Sequence, residues 1–286
     1  MIIWLASYPK SGNTFLRSLL SAYLFTSDGK FNLHSLGKID QFPHIKLFKD
    51  LGINTLNEIE VVKSYIKVQE KMNLLDNNAI RFVKTHSSLN DINGHKFTNL
   101  NNTLGAIYIV RDPRNVVKSY ANHNQFSLDA SCNRLLEFGA TLGGIKNSDN
   151  EVDKITTHMG SWSSNYNSWK EFKKVNKYLL VKYEDLVLET EKTFLMVLDF
   201  IYSLGKSKLD IDKNKLKNSL ETTSFDALQK LEKKSGFPEA VKGRNGKVIT
   251  FFKYGPKKNN IKDFPVTLKN KIETELRDEM KELNYL

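Results

Sequence analysis

Residues 2–15 read Ile2-Ile3-Trp4-Leu5-Ala6-Ser7-Tyr8-Pro9-Lys10-Ser11-Gly12-Asn13-Thr14-Phe15. The segment starts with a short, continuous apolar run, which is typical of a strand that is covered on both faces. A polar loop follows, and after it the apolar residues fall at helical spacing, which predicts a helix from Thr14 to about Phe25. Those apolar residues are Leu16, Leu19, Leu20, Tyr23 and Leu24.

The same alternation of short apolar runs and helical patterns continues along the chain. It predicts strands at 2–7, 80–86, 106–111 and 178–182, a helix around 194–202 and one last helix around 268–283. This alternation is the signature of a parallel sheet that is flanked by helices. No repeat or low-complexity linker interrupts it. We therefore expect an α/β fold with a central parallel sheet in a single P-loop-like domain over residues 1–286.

Two regions depart from the alternation. Residues 26–78 contain helical stretches but no convincing strand, which predicts a helical insertion. Residues 235–264 are rich in Gly, Lys and Asn and contain the two prolines Pro238 and Pro256, which is loop composition. Long loops in compact domains are often functional. We expect both regions to cap a substrate pocket.

Composition excludes several classes of protein. The chain has 286 residues, of which 40% are hydrophobic, so it can bury a core. Cys132 is the only cysteine, which excludes an intramolecular disulfide and a cysteine-based zinc site. No apolar run approaches the ~20 residues of a membrane helix, and the N-terminus lacks the basic leader of a signal peptide. We expect a soluble, cytoplasmic protein.

The chain carries a formal net charge of +11 at pH 7. Such a surplus attracts polyanions in general, but the lysines are scattered and often stand beside asparagines. Two interpretations remain open: a solvated basic surface, or a field that draws an anionic small molecule toward a pocket.

The loop after the first strand lies where ligands bind in α/β sheets. Gly12 permits a tight turn, and the backbone N–H groups of residues 12–14 then open the helix, an arrangement that binds phosphate. An ordinary capped turn is the alternative, because Ser, Asn and Thr all cap helices. An ATP-binding P-loop of the pattern G-x-x-x-x-G-K-S/T, aligned on Gly12, would need Gly at 7 and Lys at 13, where the chain has Ser7 and Asn13. The lysine stands upstream at Lys10, from where it could reach the bridging oxygen of a leaving group.

The loop resembles the 5′-phosphosulfate loop of sulfotransferases that use 3′-phosphoadenosine 5′-phosphosulfate (PAPS), whose pattern is Y-P-K-S-G-T-T-W. Five further motifs of that family follow in family order, so the resemblance extends from residue 2 to about 264. They are Lys84-Thr85-His86 (K-T-H), Arg111-Asp112 with Ser119 eight positions after the Arg, Gly160-Ser161-Trp162 (G-S-W), Tyr183-Glu184-Asp185 (Y-E-D) and Thr223-Ser224-Phe225 (T-S-F).

The resemblance implies transfer of a sulfuryl group from PAPS to a hydroxyl or amine, which leaves 3′-phosphoadenosine 5′-phosphate (PAP). His86 is the candidate general base, since an imidazole titrates near neutral pH. Lys10 is the candidate for stabilising the leaving oxygen and Lys84 for the sulfuryl oxygens. No carboxylate cluster in the sequence calls for a metal, and we expect none to be required. Taken alone, a histidine at a strand end is more often structural, and a lysine is more often an exposed surface cation.

The same resemblance implies the residues that hold the nucleotide. The phosphosulfate loop is formed by Lys10, Ser11, Gly12, Asn13, Thr14 and Phe15. Arg111 and Ser119 hold the 3′-phosphate, and the Arg fork suits phosphate. Phe15, in place of the usual Trp, stacks on adenine with Phe225, and Tyr183 and Thr223 lie nearby.

The last family signature, R-K-G-x-x-G-D-W, is altered here. It aligns with Lys253, Tyr254 and Gly255. Lys253 keeps a positive charge but loses the guanidinium fork, and Tyr254 removes the second cation. Lys257 and Lys258 would compensate if this loop folded over the nucleotide.

The acceptor is expected near His86, beneath 26–78, 122–159 and 235–264, where aromatic and polar residues mix. A small molecule, a lipid or a carbohydrate would each fit, and the sequence does not indicate an oligomeric state. Two alternatives stay open: a P-loop kinase that uses ATP and Mg²⁺, and a basic polyanion-binding protein. We expect no nucleic-acid partner.

Overall fold

The computed structural model describes residues 1–75, 79–144, 154–243, 246–253, 255 and 263–286. At its centre lies a five-stranded sheet in which all neighbouring strands are parallel. The strands of the described chain are β1 (Ile2–Ser7), β2 (Asp40–Gln41), β3 (Arg81–Thr85), β4 (Thr103–Val110), β5 (Thr141–Leu142), β6 (Thr157–His158) and β7 (Tyr178–Lys182). The order across the sheet is β2-β3-β1-β4-β7, and β5 and β6 form a separate antiparallel pair.

Strand β1 occupies the middle of the sheet, and all its residues are buried. Leu5 pairs with Lys84 of β3 on one side and with Ile107 of β4 on the other. Because these strands are parallel, their carboxyl ends share one edge of the sheet. The register therefore brings together the residues that follow β1, β3 and β4.

Helices cover both faces of this sheet. In the described chain they are α1 (Asn13–Phe25), α2 (Leu33–Leu36), α3 (Ile45–Lys49), α4 (Glu58–Lys63), α5 (Tyr65–Leu75), α6 (Pro113–Asn124), α7 (Leu128–Leu136), α8 (Trp162–Trp169), α9 (Tyr183–Leu188), α10 (Thr190–Leu204), α11 (Lys213–Thr222), α12 (Phe225–Ser235), α13 (Val266–Glu275) and α14 (Arg277–Glu282), with a 3-10 helix at Lys170–Val175. Helix α6, which follows β4, begins at a proline, and the Asp112 side chain caps it by accepting from the N–H of Arg114. None of these helices is both long and apolar enough to cross a bilayer.

Two apolar layers form between the sheet and its helices. Alternate residues of β1 point to opposite faces, so Trp4 packs in one layer and Leu5 in the other. The Trp4 ring lies 5.9 Å from Phe42 and 5.1 Å from Phe97 between centroids. Its buried Nε1 donates a 3.0 Å hydrogen bond to Thr103 Oγ1. The central strand is thereby held from both faces, and the loop that follows it starts from a rigid base.

The predicted α/β fold class is confirmed. The strands expected at 2–7 and 178–182 have those bounds, and those expected at 80–86 and 106–111 are found as β3 and β4 with slightly different ends. The expectation of no strand within 26–78 is wrong, because β2 pairs with Val83 and Lys84 at the edge of the sheet. Two residues are too few to show the alternation that marks a strand in a sequence, so only the pairing with β3 reveals it.

The last predicted helix is interrupted. It divides into α13 and α14 at Leu276, whose backbone angles (φ −114°, ψ 23°) leave the helical region. The apolar row from Leu268 to Leu283 nonetheless stays buried along both halves. In a straight helix a row with this spacing would rotate by about 60° over its length. The break at Leu276 keeps both ends of the row against the core.

Candidate active site

A cavity of about 990 Å³ opens at the carboxyl edge of the sheet. The predicted site residues that line it are Lys10, Gly12, Asn13, Thr14, Phe15, Lys84, His86, Arg111, Ser119, Tyr183, Phe225 and Lys253. Three others, Ser11, Thr223 and Gly255, are not among its lining residues. Tyr254, Lys257 and Lys258 lie outside the described residues. Residues from separate parts of the chain thus converge on one cavity.

The loop between β1 and α1 has the geometry of an anion cradle. Gly12 has φ +101°, and a Cβ at this position would lie only 2.3 Å from Cδ2 of Tyr183, so the tight turn requires glycine. No side chain caps α1. Since the first N–H groups of a helix lack partners within it, they remain for a ligand.

Asn13 does not take the part of the lysine of an ATP-binding P-loop. Its Nδ2 donates to the Leu5 carbonyl oxygen at 2.8 Å and to Ser7 Oγ at 3.2 Å. The amide therefore ties the start of α1 to the end of β1. Asn13 therefore has a structural role at the position where an ATP-binding loop needs a lysine.

His86 follows β3 and lines the cavity next to the end of β1. Its Nδ1 lies 2.8 Å from the Ser7 carbonyl oxygen and 3.2 Å from Ser7 Oγ. Because a carbonyl oxygen can only accept, we assign the proton to Nδ1, which leaves Nε2 as the basic nitrogen. Burial, and after it the charge of Lys84, lowers the pKa of His86 to about 3. The imidazole is therefore neutral at neutral pH.

Two lysines stand at the same edge as desolvated cations. Lys10 has φ +70°, a strained conformation for a side-chain-bearing residue, and its Nζ lies 4.3 Å from the centroid of the Phe251 ring. Burial lowers the pKa of Lys10 to about 8. Burial also lowers the pKa of Lys84. Charges in such a setting act more strongly on a neighbouring ligand than they would in water.

A carboxylate that the sequence did not suggest lies in the cradle. Glu239 Oε2 accepts from Thr14 Oγ1 at 2.6 Å, while Oε1 lies 2.5 Å from Arg17 Nη1 and 3.2 Å from Lys84 Nζ. Burial would raise the pKa of Glu239, but Lys84 and then Arg17 outweigh it and hold the pKa well below its usual range. The cradle therefore contains an internal anion with three partners.

Arg111 follows β4 and faces the loop after β1. Its Cζ lies 4.4 Å from the centroid of the Tyr183 ring, and its Nη1 donates to the Lys10 carbonyl oxygen at 3.1 Å. Ser119, two turns into α6, lines the same cavity. A guanidinium, a hydroxyl and a phenol ring thus line the same cavity. Binding of a 3′-phosphate there stays a prediction.

The aromatic side of the cavity is formed by Phe15 of α1 and Phe225 of α12, which pack around a common apolar cluster. Gly255 lies against it, since a Cβ there would be 2.7 Å from Cε1 of Phe225. Thr223 is fully buried, and its hydroxyl donates to the Ser219 carbonyl oxygen at 2.7 Å. That bond uses the hydroxyl proton of Thr223, so contact with adenine also stays a prediction.

The segments that were expected to cap a pocket also contribute to the lining of the cavity. Residues 42–45 come from the 26–78 region, Leu142 and Ile155 from the segment around β5 and β6, and Phe251 from the 235–264 loop. Most of these side chains are apolar. Gln41, Lys154 and Thr157 of the same segments are polar, so the lining offers apolar contacts together with a few polar groups.

Sequence reasoning missed Glu239, Arg17 and the contact of Ser7 with His86. A signal for Glu239 was present, because it is the single acidic residue among the basic residues of 235–253. Arg17 lies three positions after Thr14, so the two side chains share one face of α1. Neither pattern shows that the two side chains meet a loop more than 200 positions away. In the described chain, no group of three or more His, Cys, Asp or Glu side chains is arranged to hold a metal ion.

Comparison with protein families finds a match to the sulfotransferase domain over residues 2–284. The luciferin sulfotransferase of Photinus pyralis is 25% identical over 233 residues, which cover 79% of this chain. The chain matches 56% of the length of that relative.

Two solved structures share the fold. A mouse sulfotransferase crystallised with PAP has a TM-score of 0.56 at 17% identity, with 99% of this chain and 85% of that chain covered. A retinol dehydratase in complex with retinol and PAP has a TM-score of 0.53 at 16% identity, with coverage of 98% and 81%. At these identities the likeness concerns the arrangement of the chain.

Proposed function

This chain belongs to the sulfotransferase domain family, and from that premise we propose that it transfers a sulfuryl group from PAPS to a hydroxyl or amine of a small-molecule acceptor, releasing PAP. The observation that carries the proposal is the convergence of Lys10, Lys84 and His86 on one cavity beside the start of α1. Two cations and a neutral imidazole at a helix N-terminus match the needs of this reaction, which are an anionic donor and an acceptor that loses a proton.

The residues of the cradle fit such a donor. The Glu239 carboxylate already lies there, so an oxyanion can be held by Thr14, Arg17 and Lys84. The Ser11 hydroxyl oxygen and Arg17 Nε are buried without a hydrogen-bond partner in the described chain. When bound, PAPS would supply an activated sulfuryl group. In our proposal the start of α1 holds its 5′-phosphate, and Arg111 with Ser119 holds the 3′-phosphate.

In the proposed reaction, His86 Nε2 accepts the proton of the acceptor, because Nδ1 is engaged by the Ser7 carbonyl oxygen. Lys10 stabilises the leaving oxygen and Lys84 the sulfuryl oxygens, as charge that develops in transfer is stabilised by fixed cations. A positioned base contributes about 10²–10⁴-fold in rate. The Ser7 carbonyl thereby sets which nitrogen can act.

We propose an acceptor with an apolar body and a single polar group, since several apolar side chains line the cavity, namely Phe42, Pro43, Ile45, Leu142, Ile155 and Phe251. One structural relative is described in complex with retinol and PAP, and the curated relative is named as a luciferin sulfotransferase, so both names refer to small molecules. A lipid fits the same description, and a carbohydrate fits it less well. A cytoplasmic location stays a prediction.

The ATP-dependent alternative has less support, because Asn13 is engaged with Leu5 and Ser7 where a P-loop kinase needs a lysine on the phosphates. The polyanion-binding alternative rests on the net charge alone.

Calorimetry with PAP, ADP and AMP in metal-free buffer tests the donor. We expect a dissociation constant for PAP in the micromolar range or lower, which corresponds to about −8 kcal/mol. No preference for PAP over AMP would remove the donor assignment. Transfer from labelled PAPS to a panel of phenols, lipid alcohols and sugars would then identify the acceptor class.

A further inference from the structure

Glu239 already uses hydrogen-bond donors that an anion bound at the start of α1 would need. Its carboxylate accepts hydrogen bonds from the hydroxyl of Thr14, the guanidinium of Arg17 and the ammonium of Lys84. A threonine hydroxyl has one proton to donate. An anion that binds at the start of α1 can receive the Thr14 hydrogen bond only if the carboxylate gives it up.

The position of Glu239 relative to the cavity supports direct competition. Glu239 lines the cavity, whereas Arg17 does not, although the Arg17 guanidinium contacts the carboxylate. The side chain of Arg17 is 7% exposed, and its Nε–H is without a partner in the described chain. Glu239 thus covers a buried guanidinium that still has a donor to offer.

We propose that Arg17 is a donor-binding residue and that the Glu239 carboxylate is an internal competitor, which the 5′-phosphate of the nucleotide displaces. The inference rests on the proposed function, because it names residues of that same donor site. Displacement frees Thr14, Arg17 and Lys84 together, and the donor anion then takes the three partners that the carboxylate had.

The loop that carries Glu239 has a fixed part and a part that projects over the cradle. Both carboxylate oxygens of Glu232, on α12, accept from the backbone N–H groups of Phe251 and Phe252 at 2.6 and 3.0 Å. Gly236, with φ +73° and open space where a Cβ would be, precedes the projecting segment. The Phe237 ring packs 4.9 Å from both Phe251 and Phe252 between centroids, so the displacement requires the Glu239 side chain to turn away while residues 251 and 252 stay attached to α12.

The affinity of Glu239→Gln for two nucleotides tests the competition. We expect the variant to bind PAP at least about tenfold more tightly than the natural chain, a gain of about 1.4 kcal/mol. Its affinity for adenosine 3′-phosphate, which lacks the 5′-phosphate, should not change. Glu221→Gln, an exposed residue on α11, removes the same formal charge and should change neither affinity. Unchanged or weaker PAP binding by Glu239→Gln would overturn the proposal.

Arg17 is tested in the Glu239→Gln background, where it no longer has a carboxylate to hold. There, Arg17→Gln should weaken PAP binding about tenfold and leave adenosine 3′-phosphate unaffected. No effect on PAP would mean that Arg17 serves only to hold Glu239.

Thermal unfolding distinguishes two roles of Glu239, which are competition with the nucleotide and stabilisation of the fold alone. Removing one partner of a buried pair destabilises the fold, so Glu239→Gln should unfold at a lower temperature than the natural chain without ligand, yet gain more on adding PAP. If Glu239→Gln does not fold, Glu239→Asp retains the charge with a shorter reach, and it should bind PAP more tightly too.

Absence of PAP binding by the natural chain would overturn the donor assignment and this inference together, whereas binding without a gain in either variant would overturn this inference alone.

Discussion

At the level of single residues, burial sets the charge of the groups at the cavity. It removes the proton from His86 and leaves Lys10 charged at neutral pH, although it lowers the pKa of both. A base must be neutral to accept a proton, and a cation must be protonated to stabilise an anion. Burial therefore opposes protonation of both groups, and Lys10 nonetheless keeps its proton at neutral pH because its ordinary pKa lies far above neutrality.

His86→Ala is expected to lower kcat by about 10²–10⁴-fold while PAP affinity stays nearly intact, because the imidazole acts on the acceptor and not on the nucleotide. Rates with labelled PAPS and calorimetry with PAP measure the two effects. His123→Ala is the matched control, since His123 also lines the cavity but its ring packs against Phe251. Equal loss of rate and PAP binding in His86→Ala would make His86 structural.

The pH profile of kcat/KM should have an alkaline limb near pH 8 and no acid limb near pH 6.5. Lys10 loses its charge as the pH rises through its pKa of about 8, whereas His86 stays neutral down to its pKa of about 3. Lys10→Arg should move the alkaline limb upward, because a guanidinium does not titrate in this range. A limb near 6.5 that disappears in a His86 variant would contradict the lowered pKa.

At the level of elements, the strand–loop–helix unit works because each part constrains the next. Buried β1 fixes where the loop starts, Gly12 permits the turn against Tyr183, and Asn13 ties α1 back to β1. The cradle is thus a property of the unit rather than of one side chain.

Gly12→Ala should weaken PAP binding by at least about tenfold and lower the unfolding temperature. The substitution costs about 1–2 kcal/mol in the left-handed backbone region, and its Cβ would lie 2.3 Å from Cδ2 of Tyr183. Gly52→Ala is the control, because Gly52 has a similar backbone conformation (φ +69°) but an added Cβ would meet no atom within 4 Å. That control should lose stability and keep PAP affinity. Natural PAP affinity in Gly12→Ala would show that the turn is not needed for the nucleotide.

At the level of the whole molecule, cations from separate elements converge at one edge of the sheet. Lys10 comes from the loop after β1, Arg17 from α1, Lys84 from β3 and Arg111 from the end of β4. They are four of the 43 Lys and Arg residues of the chain. Lys10, Lys84 and Arg111 line the cavity, and Arg17 contacts Glu239, which lines it too, so their placement distinguishes them from the scattered surface lysines.

Because four protein cations and a helix N-terminus surround the proposed donor site, PAP binding and transfer should be unchanged by EDTA. Added Mg²⁺ should not raise the rate by more than about twofold, since the protein already supplies the positive charge. Rates in chelator-treated and Mg²⁺-supplemented buffer measure this. Loss of activity in EDTA that Mg²⁺ restores would favour the ATP-type alternative.

The sequence by itself determined the fold class, the strand–loop–helix unit and the family, because these depend on local patterns. Apolar runs mark β1 and β7, helical spacing marks α1, and six motifs in order carry the resemblance that the family match confirms. It also indicated many of the residues that line the cavity, since motifs at the carboxyl ends of parallel strands must share one edge.

Only the tertiary structure decided which groups meet and how they are charged. The carboxylate of Glu239 reaches Thr14 across 225 positions, and the Ser7 carbonyl meets His86 across 79, so neither contact has a periodicity that a sequence could show. The pKa values of His86 and Lys10 depend on burial in the assembled cavity. Strand β2 and the break at Leu276 likewise depend on the elements that pack against them. Local pattern specifies elements, whereas long-range contact and desolvation arise only when the elements are assembled.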